Sequence, residues 1–324
     1  MAECKHIIIV SDIHYAGATE KRRGNYELAV ISNPMVRFLT LLYRRYIWLR
    51  DPFAHNHLLE NVLQYSGPID WCVANGDYSC DSAFVGISDD PSLESAKECL
   101  GKLRERFGST FRAVPGDHEF GKISLAGGRG GLRFESWKRL ETCLQIEPFW
   151  TLRLGGYVLM GVTSSLIAFP TYEPEALSDE RAKWIQVRDQ HMALIRESFA
   201  GLKGQDRVLL FCHDPTALPY LAEDRFIAPQ LERIERTIIG HLHTGLVLWQ
   251  SKLLAGVPKI NFLGNAVRRM SAALNRAKHW RQFRVLLCPS LSGSELLKDG
   301  GFYTAKIDPS LSKPAEFRLH RIRR

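Results

Sequence analysis

Short apolar runs alternate along the chain with longer stretches in which apolar residues recur every three or four positions. Six of the short runs predict buried strands, at residues 7–10, 71–74, 111–114, 157–162, 208–211 and 237–239. Four longer stretches predict amphipathic helices, at residues 58–64, 93–107, 134–144 and 178–199. Residues 301–307 and 316–320 predict two final strands. Strands that alternate with helices are typical of an α/β domain.

Side chains that commonly bind metal ions follow five of these strands directly, in the segments SDIH, NGD, PGDHE, CHD and GHLH. The candidate ligands are Asp12, His14, Asp77, Asp117, His213, His241 and His243. Because strand ends in an open α/β sheet face one crevice, we expect these side chains to converge. Extended backbone in D-x-H and H-x-H would aim both side chains of each pair to one side. A mixed Asp and His set suits Mn, Fe or Zn.

In chain order the segments read D-x-H, G-D, G-[ND]-H-[DE], H and G-H-x-H. This series resembles the calcineurin-like metallophosphoesterase family, over about residues 6–250. The resemblance implies an α/β fold, a four-layer αββα sandwich of two mixed β-sheets flanked by helices, and a metal-dependent phosphoester hydrolase. We expect residues 1–324 to form a single domain of this kind.

The resemblance further implies a dinuclear centre in which Asp77 bridges two divalent ions. One ion would be held by Asp12, His14, Asp77 and His243, and the other by Asp77, Asp117, His213 and His241. A hydroxide between the ions would attack phosphorus. In the family pattern His118 would stabilise the developing charge or protonate the leaving oxygen, and Asp81 would support His118.

Two positions depart from the family pattern. Asp117 stands where Asn is usual, and its added negative charge predicts a tighter ion and a rate optimum at higher pH. The Asp that commonly supports the histidine is replaced by Cys80, which makes Asp81, one residue later, the candidate for that role. Glu119 follows His118, and the sequence leaves open whether it supports the site or lies exposed in a turn.

Basic residues are concentrated in two parts of the chain. The net charge is +8, from 43 Lys and Arg against 35 Asp and Glu. Residues 236–294 hold nine basic residues and no acidic one, and residues 28–50 hold four arginines and no acidic residue. We therefore predict a basic amphipathic insertion at about residues 17–60 and a basic segment at about residues 265–295.

Each of these segments contains a predicted amphipathic helix. Asn33 and Pro34 are a typical cap and first helical residue, and Asp51 closes a helix of roughly 16 residues. In the second helix an apolar stripe of Val267, Met270, Leu274, Ala277 and Trp280 lies opposite Arg268, Arg269, Arg276 and Lys278. Three interpretations stay open: the stripes pack on the core and the arginines are solvated, the helices contact a membrane surface or a lipid-linked substrate, or they bind nucleic acid. Nucleic acid is the least favoured.

An anionic phosphoester is the expected substrate, and a phosphodiester or pyrophosphate is favoured because the Gly-Asp-x-x-Asp-Arg-Gly signature of Ser/Thr phosphatases is absent. The alternatives are a phosphomonoesterase or nuclease of the same family, or an inactive scaffold that binds anions or nucleic acid. The 45% hydrophobic composition excludes a disordered or fibrous protein. No signal sequence or spanning segment is readable, and the seven cysteines form no C-x-x-C pair. We therefore expect a cytoplasmic protein, free or peripheral at the membrane surface.

Overall fold

The structure is a computed structural model, which describes residues 3–24, 26–124, 126, 128–262 and 265–322. Two five-stranded sheets form the centre of the described part. The strands are β1 (Lys5–Val10), β2 (Trp71–Asn75), β3 (Phe111–Val114), β4 (Phe149–Leu154), β5 (Tyr157–Val162), β6 (Arg207–Cys212), β7 (Ile234–Ile239), β8 (Val285–Leu287), β9 (Gly301–Ile307) and β10 (Glu316–Arg321).

Both sheets are mixed. The first has the order β10-β9-β1-β2-β3 and the second the order β4-β5-β6-β7-β8. In the first sheet β1, β2 and β3 run parallel, and β9 and β10 are antiparallel to their neighbours. In the second sheet β5 to β8 run parallel, and β4 is antiparallel to β5. The parallel strands of each sheet therefore end at a common edge, where polar side chains can meet.

Helices connect the strands and flank the sheets. They are α1 (Ala18–Arg23), α2 (Tyr26–Ala29), α3 (Pro34–Tyr46), α4 (His57–Leu63), α5 (Asp90–Phe107), α6 (Asp117–Phe120), α7 (Phe134–Thr142), α8 (Ser164–Ile167), α9 (Phe169–Tyr172), α10 (Arg181–Ala200), α11 (Leu218–Ala222), α12 (Gly245–Leu253) and α13 (Asn265–Arg276). Within the described ranges, none of them has the length and hydropathy that a bilayer-spanning segment needs.

The two sheets pack face to face, and helices cover their outer faces. Successive residues of a strand point to opposite sides. Ile7 and Ile9 of β1 accordingly share a buried cluster with Phe211 of the second sheet. Ile8 belongs to another cluster, together with residues such as Leu100 of α5. The predicted four-layer αββα sandwich is therefore confirmed.

The predicted strands and helices are present, with ends shifted by up to three residues. Two strands were not predicted. In β4 only Trp150 is buried, so the strand has no apolar run, and β8 is only three residues long. All seven cysteines are free thiols, as expected for a chain without a disulfide framework.

Helix α3 is shorter than predicted. The Asn33 side chain accepts hydrogen bonds from the backbone N–H groups of Met35 and Val36, at 2.9 and 3.2 Å, so the predicted cap is confirmed. The helix ends at Tyr46 after 13 residues, and the expectation of roughly 16 was wrong. Trp48 leaves the helical path, and its ring packs on that of His243 with the centroids 4.7 Å apart.

The second basic segment packs differently from its predicted amphipathic pattern. Trp280 is buried as expected, with 2% of its surface exposed. Met270, predicted on the packed stripe, is 55% exposed. Arg269, predicted on the opposite face, points inward and forms an ion pair of 3.0 Å with the buried Glu175. The buried carboxylate needs a cationic partner, so the arginine and not the methionine turns towards the protein.

Candidate metal centre

All seven predicted ligands meet at the carboxyl ends of the parallel strands. The first sheet contributes Asp12 and His14 after β1, Asp77 after β2 and Asp117 after β3, and the second sheet contributes His213 after β6 and His241 and His243 after β7. They form two groups of four, Asp12, His14, Asp77 and His243, and Asp77, Asp117, His213 and His241. Within each group the ligand atoms lie within 4.8 Å of one another. Asp77 belongs to both groups and lies between them.

The backbone at the D-x-H and H-x-H pairs is left-handed, not extended as predicted. Asp12 and His14 have φ of 50° and 48°, and His241 and His243 both have φ of 59°. Such a conformation costs a non-glycine residue about 1–2 kcal/mol. Part of that cost is offset by backbone hydrogen bonds, because the N–H groups of Asp12 and His14 donate to the carbonyls of Gly76 and Asp77, at 3.1 and 3.0 Å.

Two glycines allow the loops to approach one another closely. A Cβ atom on Gly116 would overlap the Asp77 carboxylate, and one on Gly240 would overlap the side chains of Ser11 and Asp12. Neither glycine has a positive φ, so close approach and not a special turn is what these positions require. The loops after β1, β2, β3 and β7 can therefore pack around one small volume.

The donor atoms in this volume fit divalent cations. Asp77 Oδ2 and His213 Nε2 are buried, lie 3.2 Å apart and have no hydrogen-bond partner. His213 Nδ1 lies 2.5 Å from the carbonyl of Asn75 and donates to it, which leaves Nε2 as the ring atom that faces the carboxylates. The Nε2 atoms of His14 and His243 face each other at 3.2 Å. Buried carboxylate oxygens and imidazole nitrogens that converge in this way are a suitable donor set for Mn, Fe or Zn.

Both central carboxylates are ionised. Burial and the Asp117 carboxylate raise the pKa of Asp77, but His118 and His213 outweigh them and the pKa is lowered overall. Burial likewise raises the pKa of Asp117, but His241 and Lys122 outweigh it and lower the pKa well below its usual value. The two groups are therefore ready to bind cations at neutral pH.

Glu119 connects the loop after β2 with the loop after β3 through hydrogen bonds to their backbone. It is fully buried, and its carboxylate accepts hydrogen bonds from the backbone N–H groups of Asp77, Tyr78 and Gly116, at 3.0, 2.8 and 2.8 Å. Of the two possibilities that the sequence left open, the structure supports the role of a partner to the site. A carboxylate with three backbone donors holds the loops after β2 and β3 in a fixed relation.

His118 lies beside the ligands, with Nε2 3.8 Å from Asp77 Oδ2. Its Nδ1 faces the carbonyl of Cys80 at 3.1 Å. The Asp81 carboxylate instead accepts a hydrogen bond of 2.8 Å from the N–H of Gly86. The prediction that Asp81 directly supports His118 is therefore wrong for this structure, because the carbonyl of Cys80 occupies that place.

Lys122 was not predicted and lies against the second ligand group. Its Nζ is 3.0 Å from Asp117 Oδ2. Burial lowers the pKa of Lys122, but Asp117 and Asp77 outweigh burial and raise it overall, so the side chain is charged. The negative charge that distinguishes Asp117 from an asparagine is therefore matched by the charge of a lysine. The lysine follows a glycine in a loop, and no feature of the sequence marks it as a partner.

The basic insertion forms one wall of the site. A cavity of about 170 Å³ opens next to the ligands His14 and His243 and is also lined by His118 and Lys122. Its outer wall contains Arg44, Trp48, Leu49, Pro52 and Phe53 of the insertion, together with Phe84. A molecule bound in this cavity would therefore contact the insertion.

The comparison with protein families agrees with the geometry. The calcineurin-like phosphoesterase family matches residues 5–245, which include all seven ligands and His118. The comparison with curated proteins finds no match. The match covers most of the chain, and the Asp and His ligands lie in two largely buried clusters. The chain therefore belongs to the calcineurin-like phosphoesterase family and is a metallophosphoesterase, a hydrolase that depends on metal ions.

Proposed function

We propose that the protein hydrolyses a phosphodiester or pyrophosphate with two divalent ions, Mn, Fe or Zn, in the two ligand groups that share Asp77. The observation that carries this proposal is the sharing itself, because one buried carboxylate belongs to both groups. A shared anion reduces the repulsion between neighbouring cations. Bound there, two ions would supply an activated water and neutralise the charge of the phosphoryl group.

The protein itself provides position and charge. Asp12, His14 and His243 would hold one ion, and Asp117, His213 and His241 the other, with Asp77 between them. Hydrogen bonds from the ligand loops keep these side chains in place before a substrate binds, as the bond from the His241 N–H to Asp12 Oδ1 does at 2.9 Å. Such preorganisation avoids rearrangement during the reaction.

His118 is the proposed proton donor to the leaving oxygen. Burial lowers the pKa of His118 to about 3, and Asp77 acts in the opposite direction. The ring is therefore neutral in the free protein, with a proton on Nδ1 that faces Cys80. An anionic phosphoester beside the ring favours its charged form, as Asp77 does, and the second proton is then held on Nε2, which faces the reacting groups.

The cavity beside the ligands offers room for an organic group attached to the phosphate. A phosphodiester, a pyrophosphate and a phosphomonoester can each carry such a group. The wall formed by Trp48, Leu49, Pro52, Phe53 and Phe84 offers apolar contacts next to the proposed phosphoryl position. The preference for a diester or pyrophosphate over a monoester therefore rests on the absence of the Ser/Thr phosphatase signature.

Hydrolysis of bis-p-nitrophenyl phosphate and of p-nitrophenyl phosphate tests the proposal. The protein is freed of metal with a chelator and reconstituted with Mn, and both rates are measured for the wild type, His118→Gln and His320→Gln. His320→Gln is the matched control, because it makes the same change in a histidine on β10. We expect diester turnover that falls about 100-fold or more in His118→Gln and is kept in His320→Gln. Faster monoester turnover would identify a phosphomonoesterase, and no turnover of either ester would favour a binding scaffold. Either result would refute the proposal.

A further inference from the structure

Helix α3 presents its apolar side to the outside of the molecule. Met35, Phe38, Leu39, Leu42 and Tyr46 follow helical spacing and share one face. Their exposed fractions are 65%, 53%, 56%, 36% and 60%. A helix on the surface of a globular protein normally turns this face towards the core. The apolar face of α3, defined by these five residues, is instead an exposed surface.

On the opposite side of the helix only Arg44, near its C-terminal end, is buried against the protein. Arg44, on the opposite face, is 7% exposed and forms an ion pair with Glu27. Its Nε also donates to the carbonyl of Leu49 at 3.4 Å. These contacts fix the rotation of the helix about its axis. Of the three interpretations that the sequence left open, packing of the apolar stripe on the core therefore does not hold for this helix.

The exposed apolar surface continues beyond the helix. Ile47, directly after α3, is 44% exposed, and its carbonyl accepts a hydrogen bond from the N–H of Leu296 at 3.2 Å. Leu296 and Leu297 are 57% and 46% exposed. A contiguous apolar surface of this kind is uncommon on a soluble monomer and marks a contact with a partner or a membrane.

The charge around this surface is mostly positive, although Asp51 follows Arg50 and Glu295 precedes Leu296. Arg37, Arg45 and Arg50 are exposed, and residues 28–50 contain no Asp or Glu. A two-fold contact between copies of the chain would bring the same arginines towards one another, which is unfavourable. An anionic lipid surface accepts apolar side chains and arginines together.

We propose that the apolar face of α3 docks on an anionic membrane surface, with Phe38 and Leu39 inserted among the lipids and Arg45 and Arg50 at the headgroups. The helix lies in the membrane interface and does not cross it. The surface acts without metal ions or substrate, so this proposal stands apart from the hydrolytic function.

Co-sedimentation with vesicles tests the proposal directly. The full-length protein is mixed with phosphatidylcholine vesicles, with and without phosphatidylglycerol, and the bound fraction is measured without substrate. We expect binding to the anionic vesicles that weakens about tenfold or more in Phe38→Ser/Leu39→Ser. Arg45→Gln/Arg50→Gln should weaken binding about fivefold for each arginine removed.

A matched control is available on α10. Ile185 and Leu194 are both 46% exposed, and Ile185→Ser/Leu194→Ser removes similar apolar area from another helix. This variant should bind vesicles as the wild type does. Equal loss of vesicle binding in Phe38→Ser/Leu39→Ser and in Ile185→Ser/Leu194→Ser would overturn the proposal. No binding of the wild type to anionic vesicles would overturn it as well. A concentration-dependent dimer that disappears in Phe38→Ser/Leu39→Ser would overturn it too and assign the surface to a second copy.

Discussion

Lys122, which was not predicted from the sequence, explains how this site accommodates Asp117 as an unusual metal ligand. Asp117 adds a negative charge where the family usually has a neutral side chain, and Lys122 Nζ lies 3.0 Å from Asp117 Oδ2. The pair is largely buried, so its charges are weakly screened. Each side chain therefore depends on the other, and removing one leaves a charge next to the ligands.

The dependence predicts non-additive effects on metal binding. Asp117→Asn leaves Lys122 facing the ions, and we expect the Mn concentration for half-maximal activity to rise about tenfold. Lys122→Met removes the lysine's repulsion and leaves Asp117 unpaired, so tighter Mn binding is expected. In Asp117→Asn the lysine has lost its partner and repels the ions more strongly, so adding Lys122→Met to that variant should improve Mn affinity by more than Lys122→Met does alone, which a double-mutant cycle of Mn titrations measures. Strictly additive effects would show that the two side chains act independently.

The position of the site could be predicted from the strands, whereas its geometry is determined by the loops that follow them. Each ligand directly follows an apolar run such as residues 71–74, and strand ends of parallel sheets converge, so the ligands could be predicted from the sequence. The left-handed backbone at Asp12 and His241 could not, because it depends on hydrogen bonds from other loops. Glu119 reaches backbone groups 41 and 42 residues away, a contact that local sequence does not reveal.

The orientation of α3 was unpredictable for a related reason. Periodicity shows that a helix has an apolar and a polar side, but it does not show which side faces the protein. The ion pair between Arg44 and Glu27, 17 residues apart, decides this. The strand β8 escaped prediction because three residues carry too little periodic signal.

The role of Glu119 between two elements gives a further prediction. In Glu119→Gln one oxygen becomes an amide donor that faces backbone N–H groups, which leaves at least one of them unsatisfied at a cost of about 1–3 kcal/mol. We expect the free energy of unfolding in urea to fall by that amount and Mn affinity to weaken. Glu105→Gln, an exposed position on α5, is the matched control and should change neither. Unchanged stability and Mn affinity in Glu119→Gln would show that the carboxylate does not hold the loops.

The two sheets meet in two places. Their facing sides share the hydrophobic core, and the ligands from both sheets converge at the carboxyl ends of the parallel strands. The first sheet supplies Asp12, His14, Asp77 and Asp117, and the second supplies His213, His241 and His243. Neither sheet alone completes a group of four. Ions bound there would also connect the sheets, so metal binding should stabilise the fold.

Metal content per chain is the most direct test of this arrangement. Chelated protein is loaded with Mn, freed of excess metal and measured by inductively coupled plasma mass spectrometry, with circular dichroism as the check that each variant is folded. We predict two ions in the wild type, one each in His241→Ala and His243→Ala, and none in Asp77→Ala. Two ions retained in folded Asp77→Ala, or less than one ion in the wild type, would contradict a centre built on a shared Asp77.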